Sequence, residues 1–89
     1  MPSVLIMLYL AEFYLPRQAS LADVVDRARA GAIAAGRAGA DVRLVRVIFV
    51  PDDESCFALY QAGSAAQTAA AGALAGLAFD RVTEALTLP

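Results

Sequence analysis

The amino-acid types that this chain lacks exclude several kinds of site. Its 89 residues contain no histidine and a single cysteine, Cys56. The absence of histidine removes the commonest general base and the commonest transition-metal ligand. One cysteine excludes an internal disulfide and any metal or redox motif built on two cysteines. Every basic residue is an arginine, and the charges are scattered without a basic block, so nucleic acid is not an expected partner.

A long hydrophobic run is also missing. The stretch of residues 1–16 contains an apolar run that Glu12 interrupts after roughly ten residues, which is too short to cross a bilayer. No positively charged segment precedes the run, as one does in a secretory signal. We therefore interpret it as a buried strand, and we expect a cytoplasmic protein with no membrane partner.

Apolar residues, by contrast, are in excess. They make up 60% of the sequence, and the mean hydropathy is +0.59. Residues 1–89 are expected to form a single domain, and a domain of this size buries only about 60–65% of the surface of its unfolded chain. The apolar content exceeds what one small core needs. We therefore expect a second buried surface, most simply the interface of a homodimer or higher homo-oligomer.

The segment of residues 42–62 predicts a β-hairpin. Residues 42–50 are almost continuously β-branched, aliphatic or aromatic, and a second such run covers residues 55–62. Between them lies Pro51-Asp52-Asp53-Glu54. Proline cannot donate to a strand ladder and aspartate favours turns, so residues 51–54 are the predicted turn between two antiparallel strands.

The flanking sequence predicts the rest of the fold. Residues 3–14 favour a strand that Pro16 closes. Ser20 and Ser64 each show the pattern of a helix N-cap, the first before apolar residues spaced by three and four, the second before an alanine-rich helix. With a last strand at 82–88, the order β-α-β-β-α-β predicts an α+β ferredoxin-like fold, a four-stranded antiparallel sheet with two helices on one face.

Two details of the predicted helices have structural consequences. Arg27 falls off the apolar face of the first helix, and we expect its side chain to be solvated. Gly72 and Gly76 give the second helix a GxxxG spacing. In a membrane this spacing favours helix dimerisation, but the apolar run is too short, so we expect the small residues to let the helix lie close on the sheet.

Alternation along the strands assigns the side chains of the hairpin to two faces. With a four-residue turn, one face carries Val45, Val47, Phe49, Cys56, Ala58 and Tyr60, and the other carries Leu44, Arg46, Ile48, Phe57, Leu59 and Gln61. The face with Arg46 and Gln61 is predicted to be free of helices. It is nonetheless largely apolar, so pairing of two such faces predicts a dimeric α/β barrel or sandwich. Cys56 is expected on the covered face as an inert apolar residue, unless a bulge at the turn moves it.

Charged residues that interrupt apolar strands are the candidate site residues. Glu12, Arg46 and Glu84 each do so. If all three share the uncovered face, a dimer encloses a cluster that is either an ion-pair network fixing the orientation of the partners or a ligand pocket. In a pocket, Arg46 holds an anion or the carboxylates hold a cation. The acidic turn at residues 52–54 is similarly either a weak cation site or a solvated turn.

Four segments carry a family resemblance: residues 12–16 (EFYLP), 42–46 (VRLVR), 49–57 (FVPDDESCF) and 76–85 (GLAFDRVTEA). In this order they resemble a family of small bacterial proteins, largely of unknown function and often described as nickel-binding after one member. The phrase VPDDESCF is the most specific part. The resemblance covers nearly the whole chain and implies a ferredoxin-like fold, a dimer, and a shared site at the matching positions Glu12, Tyr14, Arg46, Cys56 and Glu84.

The resemblance also implies nickel. Nickel favours imidazole nitrogen or thiolate ligands. Without histidine, this chain could offer only Cys56, carboxylates or the chain terminus. We therefore do not transfer the ion, and we treat the cofactor as unknown, with Cys56 as the candidate metal ligand.

Three functions follow from these predictions. The favoured one is a dimeric binding module that holds a small ligand or a metal between two sheets. The second is a small cofactor-free enzyme of the dimeric α/β-barrel type, an isomerase or monooxygenase, which would need Glu12, Glu84, Tyr14 or Tyr60 as its acid or base. The third is a structural or interaction protein with no ligand.

Overall fold

The structure is a computed structural model that describes residues 7–88. The elements are strand β1 (Leu8–Tyr14), helix α1 (Leu21–Arg37), strand β2 (Val42–Val50), strand β3 (Ser55–Ala62), helix α2 (Ala65–Ala75) and strand β4 (Arg81–Ala85). They confirm the predicted β-α-β-β-α-β order. The four strands pair antiparallel in the order β2-β3-β1-β4, which is the ferredoxin-like arrangement.

The predicted bounds of the outer strands differ from those of the structure. The predicted first strand covers residues 3–14, of which residues 3–6 lie outside the described part of the chain. The predicted last strand, 82–88, extends three residues too far, because pairing of β4 with β1 ends where Ala85 meets Leu8.

Both helices begin at the predicted serine caps. The Ser20 hydroxyl accepts a hydrogen bond from the Asp23 backbone N–H at 3.2 Å, and the Ser64 hydroxyl accepts one from Gln67 at 3.1 Å. Each serine thereby satisfies a backbone donor that has no partner within the helix. Helix α2 ends at Gly76, whose φ of 70° is open to glycine at little cost. Among residues 7–88 no helix is long and apolar enough to cross a membrane.

The two helices pack on one face of the sheet and on each other. Alternate strand residues, among them Phe13, Cys56 and Tyr60, form a core with small residues of both helices. Gly31 of α1 lies against Ala71 and Ala75 of α2. The ring of Phe79 occupies the space beside Gly72. The small residues of α2 therefore permit close contact with α1 and with this ring.

Arg27 is exposed, as predicted, but it also has a structural role that was not predicted. Its guanidinium donates hydrogen bonds to the carbonyl oxygens of Ala75, at 3.2 Å, and Gly76, at 2.7 Å. These are the last carbonyls of α2, which have no partner within the helix. A cation at this end also interacts favourably with the helix dipole. One side chain of α1 therefore caps the end of α2.

The hairpin has the predicted register near its turn, and a β-bulge changes it further on. Val50 pairs with Ser55, and the prediction is also confirmed for the next two alternate pairs of the ladder. Beyond Arg46 the register shifts, because Val45 has no partner and Leu44 pairs with Tyr60. Leu44 therefore packs against the core, whereas Val45 is exposed. The predicted faces of these two residues are wrong for this reason.

Candidate functional site

The face of the sheet opposite the helices, called the open face below, is the most distinctive surface of the molecule. Successive rows of side chains cross it, each row following the pairing of the strands. From the turn end onwards, the rows are Val50–Ser55–Tyr14, Ile48–Phe57–Glu12–Arg81, Arg46–Leu59–Leu10–Thr83 and Arg43–Gln61–Leu8–Ala85. A sheet face in contact with water normally carries polar residues. This one is mixed and is less apolar than predicted: Ile48, Phe57, Leu59 and Leu10 are neighbours at its centre, and arginines and other polar side chains surround them.

A groove of about 780 Å³ lies at the end of the open face away from the turn. Its lining residues are Leu8, Arg43, Val45, Arg46, Ile48, Leu59, Gln61, Thr87 and Leu88. Among residues 7–88, those that line the groove include two arginines and no acidic side chain. The volume is that of a small-molecule site, which typically holds about 300–1,000 Å³.

The two arginines of the groove differ in the hydrogen bonds of their side chains. The Arg43 guanidinium donates a hydrogen bond to the Gln61 side-chain oxygen at 2.6 Å, so its direction is fixed by the neighbouring strand. Within residues 7–88, Arg46 forms no side-chain hydrogen bond and no ion pair. Its donors are free to bind a group that enters the groove.

The structure brings only Arg46, of the five candidate residues, into this groove. Glu12 is on the open face one row away, and its carboxylate pairs with the Arg81 guanidinium at 3.3 Å. Its strand is two strands from that of Arg46, roughly 10 Å across the sheet. Tyr14 lies at the opposite end, where its hydroxyl is 3.5 Å from the Glu54 carboxylate.

Glu84 does not share the open face with Glu12 and Arg46. It pairs with Tyr9, whose side chain points to the same side as Tyr60 and the helices. Glu84 is exposed there, on an edge strand. One chain therefore does not assemble the predicted cluster of two carboxylates and a guanidinium.

Arg43 is a groove residue that the sequence interpretation missed. Without the bulge, alternation from Arg46 would place Arg43 on the helix side of the sheet. The unpaired Val45 adds one residue to β2, so Arg43 and Arg46 both lie on the open face. The signal in the sequence is the pair of arginines that interrupts the apolar strand, but alternation alone does not reveal that they share a face.

Cys56 is confirmed on the covered face and is completely buried. Burial raises the pKa of its thiol, and a backbone hydrogen bond at Phe57 opposes this only in part. Metal binding requires the thiolate, which this environment disfavours. Within residues 7–88 no three cysteine, aspartate or glutamate side chains are placed to hold a metal ion together. Residues 7–88 therefore do not offer the ligands of the nickel site that the family resemblance implies.

The acidic turn serves as a connection within the fold. The Asp52 carboxylate pairs with the Arg17 guanidinium, and the Glu54 carboxylate accepts a hydrogen bond from the Arg17 backbone N–H at 2.8 Å. These contacts join the β2–β3 turn to the chain that leads from β1 into α1. Two of the three carboxylates are thus engaged by Arg17, which favours the structural interpretation of the turn.

Comparisons with protein-family models, with curated proteins and with solved structures found no match to this chain. The resemblance carried by residues 12–16, 42–46, 49–57 and 76–85 therefore stays a prediction.

Proposed function

We propose that this protein is a homodimeric binding module, in which two open faces pack together and hold a small ligand between them. The observation that supports this most is the apolar centre of the open face, together with the groove of about 780 Å³ beside it. Ile48, on this face, is 49% exposed in the single chain, and Val45 is 40% exposed. Such side chains gain free energy when a partner removes them from water.

A second copy of the chain is the simplest cover for the open face. Homodimers with a two-fold axis use one surface patch on both partners, so an apolar face can pack on itself. Sheets that pack face to face interdigitate their side chains at a separation of about 10 Å. The rows centred on Phe57 and Leu59 supply apolar contacts, while the groove leaves room for a ligand.

Binding is favoured over catalysis because no general acid or base lines the groove within residues 7–88, where its only ionisable side chains are arginines. Glu12 is paired with Arg81 outside the groove, and Tyr60 lies on the other side of the sheet. Burial raises the pKa of Tyr60 to about 12, which is unsuited to proton transfer near neutral pH.

Native mass spectrometry of untreated protein tests the proposal. We expect a dimer that carries an additional small-molecule mass, and we expect added Ni²⁺ to leave that mass unchanged. A monomer at micromolar concentration would contradict the proposal. A dimer without bound mass, even after incubation with cell extract, would support the third function, a structural protein. A stoichiometric gain of nickel would support the ion that the resemblance implies.

A further inference from the structure

The charge of the open-face groove is opposite to that of the protein. The chain has a formal net charge of −2, yet in the described part of the chain, residues 7–88, two arginines and no acidic side chain line the groove. A concave surface with charge of one sign and apolar walls attracts ions of the other sign. Guanidinium groups suit carboxylates and phosphates in particular, because their planar donors can bind two oxygens at once.

We infer that the groove binds a small amphipathic anion. Its anionic group lies against Arg46 and Arg43, and its apolar part lies on Val45, Ile48 and Leu59. This inference rests on the proposed function, since both assign the ligand to the same groove, and it adds the chemical class of the ligand. A carboxylate and a phosphate monoester share the chemistry that the arginines recognise.

The partner copy does not supply this anion from its own open face. Glu12 is the acidic residue on the strands of that face, and it is already paired with Arg81 of its own chain. A second open face therefore brings apolar side chains and further arginines towards Arg46. Bringing these positive charges together is unfavourable unless an anion lies between them. An anionic ligand thus compensates the charge that dimerisation would concentrate.

The polar and apolar parts of the groove are arranged for such a ligand. The Gln61 side chain accepts a hydrogen bond from Arg43 and fixes its direction. Arg46 lies one row away on β2, and its guanidinium has no hydrogen-bond partner among residues 7–88. Along β2, Val45 lies between the two arginines and Ile48 lies beyond Arg46, and Leu59 pairs with Arg46 from β3. An extended molecule with one charged end can therefore contact both parts together.

Isothermal titration calorimetry with four probes of equal chain length tests the inference: decanoate, decyl phosphate, decanol and decyltrimethylammonium, each below its micelle concentration. We expect at least one of the two anions to bind about tenfold or more tightly than decanol and the cation, because a hydrogen bond to a charged group contributes roughly that much. The tighter of decanoate and decyl phosphate identifies the anionic group.

The variant Arg46→Gln should weaken binding of the preferred anion about tenfold and leave the affinity for decanol unchanged. Arg43→Gln should also weaken binding of the preferred anion. The matched control is Arg37→Gln, which removes an equal charge from the exposed last turn of α1 and should bind as the wild type does. Equal affinity for decanol and the anions, or an equal loss in Arg37→Gln, would overturn the inference.

Sedimentation velocity on the same samples separates this inference from the proposed function. A protein that is dimeric but binds no probe contradicts the anion site and leaves the dimer intact. A monomeric protein that binds the anion through Arg46 contradicts the proposed dimer and supports the anion site. A variant Arg46→Gln that dissociates into monomers without loss of intrinsic anion affinity also overturns the anion site.

Discussion

At the scale of single residues, Tyr60 is the one polar side chain that the core holds at a cost. It is 0% exposed, and its hydroxyl has no hydrogen-bond partner among residues 7–88. A buried polar group without a partner costs about 1–3 kcal/mol. The ring itself packs against Phe79, with ring centroids 6.1 Å apart. The aromatic ring therefore stabilises the core, whereas the oxygen atom does not.

Replacing Tyr60 by phenylalanine should therefore preserve or raise the free energy of unfolding at pH 7, by up to about 2 kcal/mol. The variant should also lose less of its free energy of unfolding at alkaline pH than the wild type does. The pKa of Tyr60 is raised to about 12 in the folded protein, above the ordinary value of 10.0. Between these values the unfolded state loses the proton and the folded state keeps it, so stability falls as pH rises.

Urea unfolding at pH 7 and pH 11 measures both effects of Tyr60→Phe. Tyr14→Phe is the control, because Tyr14 is exposed and should change neither quantity by more than about 0.5 kcal/mol. A loss of several kcal/mol in Tyr60→Phe at pH 7 would show that the hydroxyl has a partner in the folded protein, which contradicts this account of the core.

Some properties of single residues could be predicted from the sequence, and others could not. The burial of Cys56 could be predicted, because it depends only on alternation from the turn. The faces of Arg43 and Leu44 could not, because one unpaired residue, Val45, reverses the alternation beyond it. The capping role of Arg27 also escaped prediction, since it depends on how the two helices meet.

At the scale of elements, the contact between α1 and α2 depends on one glycine. A Cβ atom at Gly31 would clash with the Ala71 carbonyl oxygen and would lie 2.7 Å from the Cβ of Ala75. Backbone cannot move aside as a flexible side chain can. The helices can therefore approach this closely only because position 31 has no side chain.

Gly31→Ala should lower the free energy of unfolding by about 1–3 kcal/mol, because overpacking outweighs the gain in helix propensity. Gly36→Ala is the matched control in the same helix. A Cβ at position 36 meets no atom within 4 Å, so this variant should gain about 0.5–1 kcal/mol. Urea unfolding followed by circular dichroism measures both changes. If the two variants gain stability equally, the close contact between the helices is wrong.

The elements differ in how far sequence could predict them. Strands β2 and β3 have the predicted bounds, because a β-branched run and a proline–aspartate turn are local signals. The serine caps of α1 and α2 are local in the same way. Strand β4 ends where its partner β1 begins, at the pair Leu8–Ala85. The sequence of residues 82–88 alone therefore does not show where β4 ends.

At the scale of the whole molecule, the apolar residues form two surfaces. One is the core between the sheet and the helices. The other is the centre of the open face, next to the groove that Leu88 lines with a side chain that is 93% exposed. Sequence analysis could predict this second surface from an apolar content above the needs of one core. It could not predict the groove, since that depends on the bulge and on the residues after β4.

The measurement that tests the proposed interface most directly is sedimentation velocity of two matched variants. Ile48 on the open face and Ile33 on the outside of α1 are similarly exposed, at 49% and 52%. Lysine at either position costs the single chain little, because both side chains are half in water. In a face-to-face dimer, however, a lysine at position 48 is buried beside the two arginines of the groove and has no carboxylate partner there among residues 7–88, which is strongly unfavourable.

We expect wild-type protein and Ile33→Lys to sediment as dimers and Ile48→Lys to sediment as a monomer, with a dimer dissociation constant raised roughly a hundredfold or more. Circular dichroism should show the same folded spectrum for all three proteins. If Ile48→Lys stays dimeric while Ile33→Lys dissociates, or if the wild type is a monomer at every concentration, the open face is not the dimer interface.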